Sequence, residues 1–210
     1  MRKRSIILLI VGIIMVLGAG FLSVHNVNIE NRAYAGAEQT EKAIAEIIPV
    51  RENPVVKFNP EIIKKSVGVS AAAIDAENEE SEQTVTIDGI KYLGIIDLPT
   101  ARIKLPVCAE FSYDNMAVSP CRWVGRVSDN NMIICGHNYR RHFGRLDNLK
   151  TGDKATFTDV DGFVYDYKVV GTEIINGSDP RSMVSGDWDL TLFTCTLDGS
   201  RRITVRLVRT

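Results

Sequence analysis

Two short apolar runs in this chain each stop at a residue able to do covalent or proton-transfer chemistry. Thr191-Leu192-Phe193-Thr194-Cys195 is β-branched and apolar and ends in a cysteine. Asn131-Met132-Ile133-Ile134-Cys135-Gly136-His137-Asn138 stops at a Gly-His-Asn turn. Runs of this length and composition predict buried strands. After Cys195, Thr196–Ser200 contains an Asp-Gly turn signal, and Arg201–Leu207 reads as a returning strand. Such a hairpin sets a thiol and a guanidinium side by side at one end of a sheet. A thiol becomes a useful nucleophile when nearby positive charge or a histidine favours the thiolate. Only His25, His137 and His142 exist. His25 adjoins an apolar N-terminal run, and His142 sits in the polar run Asn138-Tyr139-Arg140-Arg141-His142, where it is expected to be solvated. His137 is therefore the candidate partner of Cys195. Taken singly, a core cysteine, a turn histidine and a solvated arginine are the blander readings, but together they assemble the parts of Cys–His acyl transfer.

Arg201 and Arg202 both follow the turn. Side chains alternate along a strand, so only one of them shares a face with Cys195. Thr-Leu-Phe-Thr-Cys resembles the Thr-Leu-x-Thr-Cys signature of the sortases, the membrane-anchored cysteine transpeptidases of Gram-positive bacteria. The Gly136-His137 turn and the arginine strand occur in the family's order, with 58 residues from His137 to Cys195 and seven more to Arg202. Leu105-Pro106-Val107 and Phe143-Gly144-Arg145-Leu146-Asp147-Asn148-Leu149 are further family-like pieces, and the resemblance covers roughly Ile87 to the C-terminus. The family pattern of an arginine three residues before a valine selects Arg202, ahead of Val205, and leaves Arg206 expected to be exposed. The resemblance implies Cys195 as nucleophile, His137 as general acid and base, and Arg202 as the group that holds the oxyanion or positions the substrate. It also implies a Leu-Pro-x-Thr-Gly-like sorting peptide as donor, and an amine from a cell-wall precursor or a pilin lysine as acceptor.

These residues need a scaffold, and the patterning from Thr84 onward supplies one. Strands are expected at Val85–Ile87, Tyr92–Ile96, Arg102–Val107, Met132–Cys135, Lys154–Thr158, Gly162–Ile175, Leu190–Cys195 and Ile203–Val208, with a helical turn over Phe143–Leu149. Eight strands with few helices predict a mainly β fold closed as a barrel, and the resemblance implies the sortase-type eight-stranded β-barrel with short helices. The polar stretch Asn176–Trp188 is a loop, expected to form a wall of the peptide groove as the corresponding loop does in sortases.

The rest of the chain is organised differently. Arg2-Lys3-Arg4 precede an uncharged run, Ile6–Leu22, extended by Ser23 and Val24. At ~1.5 Å per residue this just spans a bilayer core of ~30 Å. Basic residues ahead of it predict a cytoplasmic N-terminus with the remainder outside. Ala33-Tyr34-Ala35 offers a signal-cleavage site, but the apolar run exceeds the usual ~7–15 residues of a signal core, which favours an uncleaved anchor. From His25 to Gln83 there are 11 acidic and 6 basic residues, and from Thr84 to Thr210 there are 15 and 16. Residues 1–24 thus read as cytoplasmic tip and anchor, 25–83 as a solvated extracellular stalk with helix at Glu38–Ile48 and Glu61–Val69, and 84–210 as the catalytic barrel. A net charge of -1 gives no footprint for nucleic acid.

No cofactor or metal is expected. Cys108, Cys121, Cys135 and Cys195 fit no zinc spacing, and Asp129 by itself is no basis for calcium activation. Cys108 and Cys121 flank a loop that a disulfide could close, whereas Cys135 reads as a small core residue. Two same-chemistry rivals fail on pattern: the Ser-His-Gly-Cys signature of L,D-transpeptidases is missing, and a papain-like nucleophile sits near the start of its domain. The rival from another class is a non-catalytic, membrane-tethered β-domain that binds cell-wall components. Gly-His-Asn has a class B flavour, and the Asp-Pro-aromatic lid of many pilin-polymerising sortases is absent from the stalk.

Overall fold

The computed structural model describes residues 2–49 and 82–210, so the expected helix at Glu61–Val69 lies outside the described residues. The chain opens with one long helix, α1 (Arg2–Ile47). Nine strands follow: β1 (Val85–Ile87), β2 (Ile90–Leu98), β3 (Ile103–Cys108), β4 (Cys121–Val124), β5 (Met132–Cys135), β6 (Lys154–Asp159), β7 (Val164–Asn176), β8 (Leu190–Cys195) and β9 (Arg201–Arg209). Short helices α2 (Tyr113–Val118) and α3 (Pro180–Val184) lie between strands, and single 3-10 turns cover Pro99–Ala101 and Leu146–Asn148.

The strands run in the order β1-β2-β3-β4-β5-β8-β9-β7-β6, and β6 pairs back onto β2. β2 to β9 therefore close an eight-stranded barrel, with β1 as a hairpin extension of β2. Closure removes exposed strand edges, the general weakness of an open sheet. Alternating apolar residues fill the interior, among them Ile96, Leu98, Leu105, Val107, Met132, Ile134, Phe157, Val169, Leu190, Leu192, Val205 and Leu207. A bulge at Gly94 lets Leu93 and Ile96 both face this interior. A side chain there would meet the Thr158 carbonyl oxygen at 2.0 Å, so only glycine lets β6 close the barrel.

Three elements were not legible as strand or helix patterns: β4, α2, and α3, which lies inside the stretch Asn176–Trp188 expected to be a loop. β4 is four residues long, follows Pro120 and contains Arg122, which breaks the apolar pattern but forms an ion pair with Glu82. α2 buries only Met116, and its one local signal is Ser112, whose hydroxyl accepts from Asn115 N at 3.0 Å as an N-cap. α2 lets the chain cross over so that Cys121 on β4 pairs parallel with Cys108 on β3. Both cysteines are buried free thiols. The Cys121 thiol and burial raise the Cys108 thiol far above its ordinary value.

α1 unites the expected anchor and the Glu38–Ile48 helix in one element. Its side chains from Ile6 to Val24 are exposed and apolar, and the helix is long and apolar enough to cross a membrane by length and composition. Further along, Tyr34–Ile48 does not stand free in solvent. Ala37, Thr40 and Ile44 are buried, with Ile44 packed among Tyr92, Ile95, Met116 and the three buried cysteines on the barrel's outer face. Glu41 pairs with Lys104 of β3 at 2.8 Å, and the Arg141 guanidinium lies 4.4 Å from the centre of the Tyr34 ring.

Candidate active site

The alternation of β8 and β9 decides which side chains leave the core. Leu190 and Leu192 face the interior, so Thr191, Phe193 and Cys195 face outward. On β9, Ile203, Val205 and Leu207 turn inward, leaving Arg202, Thr204 and Arg206 outside. Their antiparallel register then sets three outward pairs: Thr191 opposite Arg206, Phe193 opposite Thr204, and Cys195 opposite Arg202. Arg201 is exposed and one step out of phase, opposite Asn176 of β7. The adjacent arginines are thus told apart by register alone, in favour of Arg202.

β5 brings the histidine to the same row. It runs parallel to β8 with Cys135 opposite Phe193. Beyond the strand end, Gly136 N donates to Phe193 O at 3.1 Å and Thr194 Oγ1 donates to Gly136 O at 2.8 Å. Asn138 Nδ2 reaches Thr196 O at 3.5 Å. These bonds continue the ladder, so His137 falls alongside Cys195. One outer row then reads Ile175, Arg202, Cys195, His137 across β7, β9, β8 and the end of β5.

Cys195 is half-buried, whereas the other three thiols are buried. Burial pushes the Cys135 thiol up to about 12, which keeps it protonated and inert. Arg202 Nη1 donates to Gly199 O at 2.9 Å and to Arg201 O at 3.1 Å within its own turn. Its Nε and Nη2 have no hydrogen-bond partner among the described residues, so two donor nitrogens remain for a ligand oxygen. Gly177 leaves room for this guanidinium, since a Cβ there would lie 2.8 Å from Nη1. The turn itself is held by Asp198, which accepts from the Ser200 and Thr196 hydroxyls. Those bonds, the Ser200 one first, draw its carboxyl down to about 2.

Burial lowers the His137 imidazole below its usual value. Its ring stacks on Tyr139, with centroids 4.7 Å apart and planes inclined by 24°. Tyr139 in turn meets His142 at 5.5 Å and 50°. His142, expected to be solvated, is fully buried, and neither ring nitrogen finds a hydrogen-bond partner. Burial first, and His137 second, push it down to about 4. The reason for its position is the next residue. Phe143 is buried in the barrel core with Leu146 and Leu149, and Phe143 N donates to His137 O at 3.1 Å. The spacing of these three apolar residues was the signal that the loop turns inward and takes His142 with it.

Arg206 is a second correction: expected outside, it is 3% exposed and bonded within the β7–β8 loop. That loop, with α3 at its centre, lies over the outer face next to the row of Arg202, Cys195 and His137. Met183 packs on Ile133 and Ile175, with Trp123 and Phe193 beside them. Trp123 was missed because β4 was not legible. Among the described residues no group of three or more His, Cys, Asp or Glu side chains could hold a metal ion.

Comparison with known proteins bears on this geometry. Residues 96–210 match the family model for the sortase domain, just over half of the chain. Sortase C1 of Streptococcus agalactiae is similar at 28% identity, over 60% of this chain and 70% of that one, with a TM-score of 0.51. Sortase C of Clostridium perfringens, solved with the C-terminal cell wall sorting motif, is similar at 26% identity over 57% and 70%, with a TM-score of 0.50. Sortase A of Listeria monocytogenes shares the fold at 24% identity, over 57% and 87%, with a TM-score of 0.50. The search of curated proteins gave no match.

Proposed function

The chain belongs to the sortase family of cysteine transpeptidases, and on that premise we propose that Cys195, His137 and Arg202 carry out acyl transfer from a sorting peptide to an amine. The observation that supports this most is the outer row itself: a half-buried thiol directly opposite a guanidinium with two unclaimed donor nitrogens, and a histidine brought alongside by the continued β5–β8 ladder.

In the first step the Cys195 thiolate attacks the carbonyl carbon of the scissile peptide bond. A C–S bond forms while the carbonyl electrons move onto oxygen, where Arg202 donates hydrogen bonds to the developing charge. Protonated His137 gives its proton to the departing amine as the C–N bond breaks. In the second step a new amine attacks the thioester carbon and passes its proton to His137. A C–N bond forms, the C–S bond breaks, and the thiolate is restored. The donor is a Leu-Pro-x-Thr-Gly-like sorting signal cut between Thr and Gly. The similarity to a sortase C solved with its cell wall sorting motif supports that class of donor. The acceptor amine comes from a cell-wall precursor or a pilin lysine. Residues 1–24 hold the enzyme in the plasma membrane with its N-terminus cytoplasmic, leaving the barrel, residues 84–210, outside.

Incubating the protein with a panel of sorting peptides and reading the products by mass tests this. Cleavage between Thr and Gly, lost in Cys195→Ala, is the expected result. A Cys195→Ala chain that still cleaves, or iodoacetamide alkylation that leaves activity intact, would sink the assignment of the nucleophile. Undiminished surface-protein anchoring by Cys195→Ala in cells would instead favour a non-catalytic binding domain.

A further inference from the structure

Arg206 occupies the third outward position of β9, two rows from the Cys195–Arg202 pair, yet solvent does not reach it. Nε donates to Glu173 Oε1 at 2.6 Å. Nη1 donates to Met183 O at 2.7 Å and to Thr191 Oγ1 at 3.0 Å, and Nη2 to Ser182 O at 2.7 Å. The guanidinium also lies 6.0 Å from the centre of the Trp188 ring. A single side chain thus ties together β7, β8, β9 and the C-terminal end of α3.

This arrangement is more than a means of filling space. A charge taken out of water is expensive, and an apolar residue of similar volume often does as well or better where only packing is at stake. Arg206 faces a single carboxylate, and that one is half exposed; its other partners are neutral oxygens. Two of these are carbonyls at the C-terminal end of α3, which a five-residue helix leaves without a backbone partner, although the Ser182 carbonyl also accepts from Ser185 Oγ at 3.1 Å. The planar fork of donors fixes them in direction as well as distance. Held in this way, the α3 backbone sets Met183 onto Ile133 and Ile175, beside Phe193 and Trp123. Thr204 Oγ1 approaches Met183 Sδ at 3.9 Å. Phe193 and Thr204 form the row next to Cys195 and Arg202, and Ile175 is the register partner of Arg202. The loop edge that Arg206 secures therefore ends one row from the nucleophile.

We propose that Arg206 is a positioning residue that holds the β7–β8 loop at the edge of the catalytic row and so sets the affinity for the peptide donor without touching the reacting atoms. This rests on the reading of Cys195 as nucleophile toward a peptide bound across the same face.

The test compares the wild-type full-length chain with Arg206→Met, which keeps the bulk, Arg206→Lys, which keeps the charge and one donor, and Glu173→Gln, which removes the carboxylate partner alone. kcat and KM for a cleaved sorting peptide are measured beside the rate of Cys195 alkylation by iodoacetamide. In Arg206→Met the expected result is a KM raised at least about tenfold, with alkylation within about twofold of wild type. Arg206→Lys should recover part of that loss, and Glu173→Gln should raise KM by a few-fold. An unchanged KM in Glu173→Gln and in Arg206→Lys or Arg206→Met overturns the proposal. So does a fall in alkylation rate that parallels the fall in kcat/KM, because the damage would then extend to the nucleophile. Should Arg206→Met fail to fold, the other two variants decide alone. A wild-type chain that cleaves no peptide overturns the active-site reading itself, whereas cleavage with unmoved KM values overturns only the role of Arg206.

Discussion

Cys195 and Arg202 are direct partners in the β8–β9 ladder, and Arg201, adjacent in sequence, is paired instead with Asn176 on the neighbouring strand. Arg202→Ala is expected to lower kcat/KM for a sorting peptide by about 10²–10³-fold, the usual loss on removing an oxyanion donor. Arg201→Ala should stay within about threefold. Steady-state cleavage assays on both variants separate them, and equal losses would contradict the register-based assignment.

Burial holds the His137 imidazole below its ordinary value of 6.5. Its protonated form is then a minority at neutral pH, which predicts slow turnover for a reaction whose first step needs that proton. NMR titration of the His137 ring in Cys195→Ala, where no thiolate can stabilise the imidazolium, should give a midpoint below 6.5. A midpoint at or above that value removes the explanation.

His142 makes an acid-stability prediction. Its imidazole is pushed down to about 4 in the folded chain from an ordinary 6.5. The unfolded chain therefore binds more protons between these values, and stability falls as pH drops from 6.5 toward 4. The fully buried ring makes the loss on the order of 3 kcal/mol. Urea unfolding midpoints measured at pH 7 and pH 4.5 should differ less in His142→Phe than in wild type. An identical pH dependence in both would show that this ring is not the source.

Ile44 tests whether the far end of α1 belongs to the barrel. It is fully buried among Tyr92, Ile95 and Met116. Ile44→Ala should destabilise the chain by about 2–5 kcal/mol, the range for such core truncations. Exposed Ile47, three residues on, should tolerate alanine with a change within about 0.5 kcal/mol. Thermal unfolding of a chain beginning at Asn26 measures both, and equal effects would mean that the helix does not dock in solution.

What could be read from the residues was whatever local pattern encodes. Leu190–Cys195 and Met132–Cys135 are apolar runs stopped by a cysteine and by a Gly-His turn, so their strands were visible at once. The choice between Arg201 and Arg202 needed register, a property of pairing between strands; the family pattern pointed to Arg202 and the ladder supplied the physical reason. β4 was invisible because its four residues include an arginine whose charge is met by Glu82, 40 residues away. Arg206 and His142 were misplaced for a related reason. A polar residue in a polar context reads as solvated, and only the tertiary fold shows that α3 covers one and that Phe143 draws the other inward.

The continuity of α1 has a mechanical consequence. If Ile6 to Val24 lie in lipid, Thr40 and Ile44 sit 16 and 20 residues past the bilayer's apolar edge along an unbroken helix, roughly 24–30 Å at ~1.5 Å per residue. An enzyme on a rope would sample every height within its reach. In that placement this one stands on a post, so its standoff from the lipid and the bearing of its Cys195 face are set by the same helix. Substrates must be delivered to that altitude, and inserting three glycines after Val27 should turn the post back into a rope.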